Sequence, residues 1–174
     1  MSGNKYVLDA NIFIQAKNDY YRFDLCPGFW AALTASHDSN RICSIDKVYD
    51  ELVAEGDRVA EWAHKAADTF FKKTQDKAVL DAFQEMVAWV QAETQFTSAA
   101  KAEFASVADG WLVAFARVNG LVLATQETYE PNVRNRVKIP NVCVEFDVEY
   151  AGTFDMLEDL KAKFVLSPRR RRKR

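Results

Sequence analysis

Histidine is almost missing from this chain of 174 residues: His37 and His64 are the only two. Three cysteines, Cys26, Cys43 and Cys143, form an odd set separated by 17 and 100 positions. Neither a zinc framework nor a disulfide scaffold is built from such spacings, and the thiols read as reduced and buried. Four prolines and six glycines exclude a repeat or low-complexity protein. The longest apolar run, Trp111 to Ala116, is far short of a membrane span. The opening MSGNKYVLDANIFI carries Lys5, Asp9 and Asn11 where a secretory signal needs unbroken apolar residues, so a cytoplasmic protein is expected.

What is present is 49% hydrophobic and 28% charged, enough for one globular domain with a real core. The net charge of −2 hides a segregation. Six of the 23 basic residues are the last six, Arg169 to Arg174, which leaves 17 against 25 acidic residues in the body. We expect a single domain over residues 1–166 and a basic, flexible tail over 167–174.

Short apolar segments alternate with helical patterns. Tyr6-Val7-Leu8 reads as a strand stopped by Asp9, with Ile12, Ile14 and Ala16 following at once in a helix. Pro27 opens a second helix that ends near Asp38-Ser39-Asn40. Arg41 to Cys43 is a brief strand, and Ser44 is a candidate N-cap for a helix with Ile45, Val48, Tyr49, Leu52 and Val53 on one face, ended by Gly56-Asp57. The middle is helical, with Val59, Trp62, Ala63 and Ala66 first, then Val79, Leu80, Phe83, Met86, Val87 and Val90. One helix is expected from Ala99 to Val118, broken at Asn119-Gly120, then a strand at Leu121 to Ala124, a strand at Val137 to Ile139, and a closing helix from Thr153 to Phe164. The alternation predicts an α/β domain with a mainly parallel sheet flanked by helices.

Acids stand where such a sheet binds ligands. Asp9 and Glu127 lie at or just past the C-terminal ends of two predicted strands, which share one edge. Asp109 sits in a segment apolar nearly all round, and the nearest downstream base, Arg117, is two turns away. A buried carboxylate needs a partner or a cation, so something else must neutralise Asp109. Glu51 is the fourth acid, with Asp46 and Asp50 competing on the same helix. Several carboxylates without histidine or cysteine make a hard-oxygen site suited to Mg²⁺ or Mn²⁺, ions that clamp phosphate oxygens and activate water.

These segments resemble the PIN-domain superfamily. Tyr6-Val7-Leu8-Asp9-Ala10-Asn11-Ile12-Phe13-Ile14 is similar to its opening strand with the first metal-binding Asp. Val48-Tyr49-Asp50-Glu51-Leu52 resembles the second acidic motif, Ala108-Asp109-Gly110-Trp111-Leu112-Val113-Ala114 the third, and Leu123-Ala124-Thr125-Gln126-Glu127 the strand-end Thr-x-Asp pattern with Glu for Asp. The resemblance covers Lys5 to Val148. The long middle helices and Lys138-Ile139-Pro140-Asn141-Val142-Cys143 look most like a less characterised branch rather than the short toxins of the virulence-associated-protein-C type.

The resemblance implies a PIN-like three-layer sandwich and a Mg²⁺- or Mn²⁺-dependent endoribonuclease leaving a 5′-phosphate and a 3′-hydroxyl. It also implies a toxin held by a protein antitoxin, with a homodimer by analogy. Asp9, Asp109 and Glu51 would hold the metal, and Glu127 would bind through water or tune it. Asn11 and Thr125 would position carboxylates or water, although Asn11 equally suits a helix cap. Positive charge for RNA would come from Arg134, Arg136, Lys138 and the run Arg169, Arg170, Arg171 and Arg172; that run equally reads as a solvated tail. Trp62, Phe83, Met86 and Trp89 read as core or partner surface rather than base-stacking platforms. Two other classes compete. One is a metal-silent module that binds RNA or protein; the other is a phosphohydrolase with an Asp nucleophile, for which the usual second Asp is replaced by Asn11.

Overall fold

The computed structural model describes residues 3–165. Five short strands form one sheet: β1 (Tyr6–Leu8), β2 (Ile42–Ile45), β3 (Phe71–Lys72), β4 (Val122–Ala124) and β5 (Tyr150–Ala151). Their order is β3-β2-β1-β4-β5, and all four pairings are parallel. Nine helices are found among the described residues: α1 (Ala10–Asn18), α2 (Pro27–Asp38), α3 (Asp46–Ala54), α4 (Arg58–Phe70), α5 (Lys77–Ala92), α6 (Ser98–Ser106), α7 (Asp109–Asn119), α8 (Ile139–Glu145) and α9 (Thr153–Asp159). The α/β architecture expected from the alternation is thus the one found. No described helix is long and apolar enough to cross a membrane.

The central strand β1 is a run of three buried residues, as a parallel sheet covered on both faces requires, whereas the edge strands β3 and β5 leave Lys72 and Tyr150 exposed. One core extends from Tyr6 to Leu157. The helices fall into two packed groups: α1, α3 and α4 contact one another, while α7 contacts α5, α6 and α8. Pro27 starts α2 at a position where no intrahelical N–H is needed. Gly120 ends α7 in the left-handed region at φ 61°, with its N–H turned back to Ala116 and Arg117.

Several local expectations are corrected. Ser44 is not an N-cap. It belongs to β2, and its hydroxyl donates to the Leu8 carbonyl at 2.6 Å, tying β2 to the end of β1. The segment 99–118 is two helices rather than one, because the chain extends at Val107 before α7 starts. Val137 to Ile139 is not a strand: Pro140, in the first turn of α8, has no N–H to give a ladder. The closing helix stops at Asp159, well before Phe164, which packs its ring edge-on against Tyr21 and Phe29. Strands β3 and β5, two residues each, had no counterpart in the sequence pattern. Met86 is fully buried and Trp62, Phe83 and Trp89 pack against the core, which makes them core residues.

The chain leaves β1 toward β2 and β3 on one side, then returns to the other side of β1 for β4 and β5. Strand order therefore reverses between β1 and β4, and the crevice beyond the carboxyl ends of those two strands is where open α/β sheets bind ligands.

Candidate functional site: an acidic cleft at the strand switch point

Four elements deliver a carboxylate to that crevice. Asp9 follows β1 directly and is 2% exposed. Its backbone N–H still bonds to the Ala124 carbonyl, 3.0 Å away, so the ladder with β4 fixes where its side chain begins. Glu127 follows β4 by three residues, Glu51 lies in α3 just beyond β2, and Asp109 is the first residue of α7. Asp109 therefore faces the positive end of a helix dipole, a feature the sequence pattern did not reveal.

Hydrogen bonds hold the set in place. Thr125 Oγ1 donates to Asp9 Oδ2 at 2.9 Å, and Asn11 Nδ2 reaches the same oxygen at a long 3.5 Å. Asn11 lies inside α1 rather than at its cap. The Ala108 N–H, at the start of α7, donates to Glu51 Oε1 at 3.3 Å. Glu127 is gripped at both oxygens: the Ile139 N–H at the start of α8 donates to Oε2 at 2.7 Å, and Arg136 Nη2 lies 2.8 Å from Oε1. The same Arg136 nitrogen is 3.7 Å from Asp109 Oδ2.

The charge is incompletely balanced. Burial, then the nearby Asp9 and Glu127 carboxylates, push the Asp109 pKa up to about 8, with Arg136 pulling the other way. Burial raises Asp9 to about 6, opposed by the Thr125 hydroxyl and reinforced by Glu127 and Glu51. Burial also raises Glu51, against the Ala108 N–H. Beyond burial, Asp9 is raised by Glu127 and Glu51, and Asp109 by Asp9, Glu127 and Glu51, which is the physical sign that these carboxylates stand close together.

All four expected acids, together with Thr125 and Asn11, are brought together. Among the described residues, Arg136 is the one expected cation that joins them. Lys138 is paired with Glu130, and the Arg134 side chain makes no ion pair with the four acids among the described residues. Arg169 to Arg172 lie outside the described residues. Arg136 answers what neutralises Asp109, a long-range pairing with no signature in local sequence. The expectation of no cysteine nearby is also corrected: Cys143 on α8 is close enough to Glu127 for that charge, after burial, to help push its thiol up to about 12. At that value the thiol stays protonated near neutral pH. The grip of α8 on Glu127 was missed, although Pro140 carries a helix-start signal in the sequence.

The donor chemistry fits a hard divalent ion: oxygen ligands alone, three of them with raised pKa values that a cation would lower. As the side chains stand, no three acids among the described residues have ligand spacing, and Arg136 reaches both Asp109 and Glu127. A cavity of about 490 Å³ lies at the opposite edge of the sheet around Lys5, Arg117 and Val122 and touches none of the four acids.

A parallel α/β sheet with a carboxylate cluster at its switch point is the class of protein that fold and site define. The chain belongs to the family described as a domain of unknown function (DUF4411), whose profile matches residues 6–164. No curated protein matches it.

Proposed function

We propose that this protein is a divalent-metal-dependent endoribonuclease acting in the cytoplasm, the toxin of a toxin–antitoxin pair. The observation that carries the nuclease reading is the meeting of Asp9, Glu51, Asp109 and Glu127 from four separate elements at the switch-point edge, with three of their pKa values raised. The toxin role, with a protein antitoxin as partner and a homodimer as assembly, rests on the PIN resemblance alone.

Asp9, Asp109 and Glu51 would hold Mg²⁺ or Mn²⁺, which supplies Lewis-acid stabilisation of the phosphate and a water of lowered pKa. Thr125 orients Asp9 by donating to Oδ2, which leaves Oδ1 without a side-chain donor and available to a cation. The Ala108 N–H orients Glu51 in the same manner. Glu127, held by Arg136 and the start of α8, is a positioning and field-setting group rather than a ligand. Arg136, with its side chain 46% exposed, offers a guanidinium to the RNA backbone at the lip of the cleft.

Incubation of a mixed RNA pool with purified protein and Mn²⁺ or Mg²⁺ tests the reading. Wild type should cut, EDTA should silence it, and Asp9→Asn should lose at least about 100-fold in rate. Equal cleavage by wild type and Asp9→Asn would sink it. A second reading, a metal-silent RNA- or protein-binding module, is favoured by the absence of ligand spacing among the described acids. Tight RNA binding with no cleavage in either metal would establish that one instead.

A further inference from the structure

Arg136 holds the cleft in a way that neither a simple RNA grip nor a surface ion pair explains. Its Nη2 sits 2.8 Å from Glu127 Oε1 and 3.7 Å from Asp109 Oδ2, so one guanidinium serves an acid beyond β4 and an acid at the start of α7. Glu127 is a fixed hook for it, because the Ile139 N–H immobilises the other carboxylate oxygen. The crevice lined by Phe104, Val107, Asp109, Arg136 and Val137 is too narrow to admit a water molecule. Yet the Arg136 side chain remains 46% exposed and has a way out into solvent.

We propose that Arg136 is a built-in stand-in for the divalent cation, a displaceable latch whose bridge between Glu127 and Asp109 and the loading of metal at Asp109 are mutually exclusive. The proposal rests on the reading above, that Asp9, Glu51 and Asp109 take a divalent ion. A planar guanidinium spreads its N–H donors widely enough to reach two carboxylates, which a lysine ammonium does not do as well. The latch neutralises part of the buried charge while the protein waits, and with it closed no three acids among the described residues stand at ligand spacing. Once released, Arg136 turns toward solvent, where the phosphates of an RNA strand would take the place of Glu127. Loading and substrate capture are thereby coupled: a phosphate that binds Arg136 favours the metal-ready cleft, and the metal frees Arg136 for the phosphate.

The test is Mn²⁺ binding to the full chain without RNA, with free Mn²⁺ counted by its paramagnetic resonance signal, in wild type, Arg136→Gln and Arg136→Lys. Arg136→Gln should bind about tenfold more tightly than wild type, since the ion no longer displaces a half-exposed charge pair. Arg136→Lys separates latch from field: it retains the charge but loses the bridge, and should bind several-fold more tightly than wild type. A lysine variant that binds like wild type, or a glutamine variant that binds no better, overturns the latch while leaving the metal reading intact. Folded variants and folded wild type that all fail to bind millimolar Mn²⁺ overturn the metal reading and the latch with it.

Discussion

Replacing Asp109 by asparagine should make the metal-free protein more stable, and increasingly so as pH rises. Asp109 has 14% of its side chain exposed, and its pKa is raised from 3.8 to about 8 by burial and by the charges of Asp9 and Glu127. A carboxyl with a raised folded pKa keeps a proton that the unfolded chain has already released. Its contribution to stability is therefore intact below the unfolded value, is lost as pH climbs through the window from 3.8 to about 8, and is constant above it. Each pKa unit corresponds to about 1.4 kcal/mol, so four units set a ceiling of roughly 6 kcal/mol. The acids titrate together and Arg136 and water relax around them, which brings the expected gain at pH 9 to about 2 kcal/mol, or some 4–8 °C in Tm for a chain of this size. Thermal unfolding in EDTA at pH 5, 7 and 9 measures it. The gap between Asp109→Asn and wild type should be small at pH 5 and widen at each step. A gap that stays constant, or a variant less stable than wild type at pH 9, would refute the claim that Asp109 is a buried charge only partly compensated by Arg136. Stability gained by removing a site acid is the expected counterpart of a site built for a cation.

Gly110 stands against two rings, and a Cβ there would lie 2.9 Å from both Phe104 and Phe83. Gly110→Ala should cost about 1–3 kcal/mol by urea unfolding and, by pushing the start of α7, should weaken Mn²⁺ binding as well; a neutral outcome in both would show that the rings yield freely. Cys143 is fully buried with its thiol pushed up to about 12, so iodoacetamide at pH 8 should leave it unmodified in the folded protein and label it only in denaturant, as mass mapping would reveal. Stoichiometric labelling of native Cys143 would contradict its enclosure.

The parts of the site that were legible in the sequence are those coded locally. Asp9 could be placed because a short apolar strand and a helical pattern meet at it, and that switch needs only neighbouring residues to be recognised. The end of α7 was equally plain, since Gly120 alone tolerates the left-handed turn that stops the helix. Glu51, among three acids on one helix, was singled out by motif order rather than by chemistry. Strands β3 and β5 escaped because two residues have no period, and their extended backbone is imposed by the neighbouring strands. Val137 to Ile139 misled because β-branched residues favour strands, whereas their place here is set by the first turn of α8 and its hold on Glu127.

By itself, then, the sequence determined strands β1, β2 and β4, most of the helices and the acids that follow two of those strands, because hydrophobic period and chain-breaking residues act over a few positions. Only the tertiary structure decided that Arg136 meets Asp109 and Glu127, that Ser44 bonds the end of β1, and that burial and neighbouring carboxylates raise the pKa values of Asp9 and Asp109. Those outcomes depend on electrostatic and steric contacts between segments far apart in the chain, and such contacts exist only once the sheet order has been set.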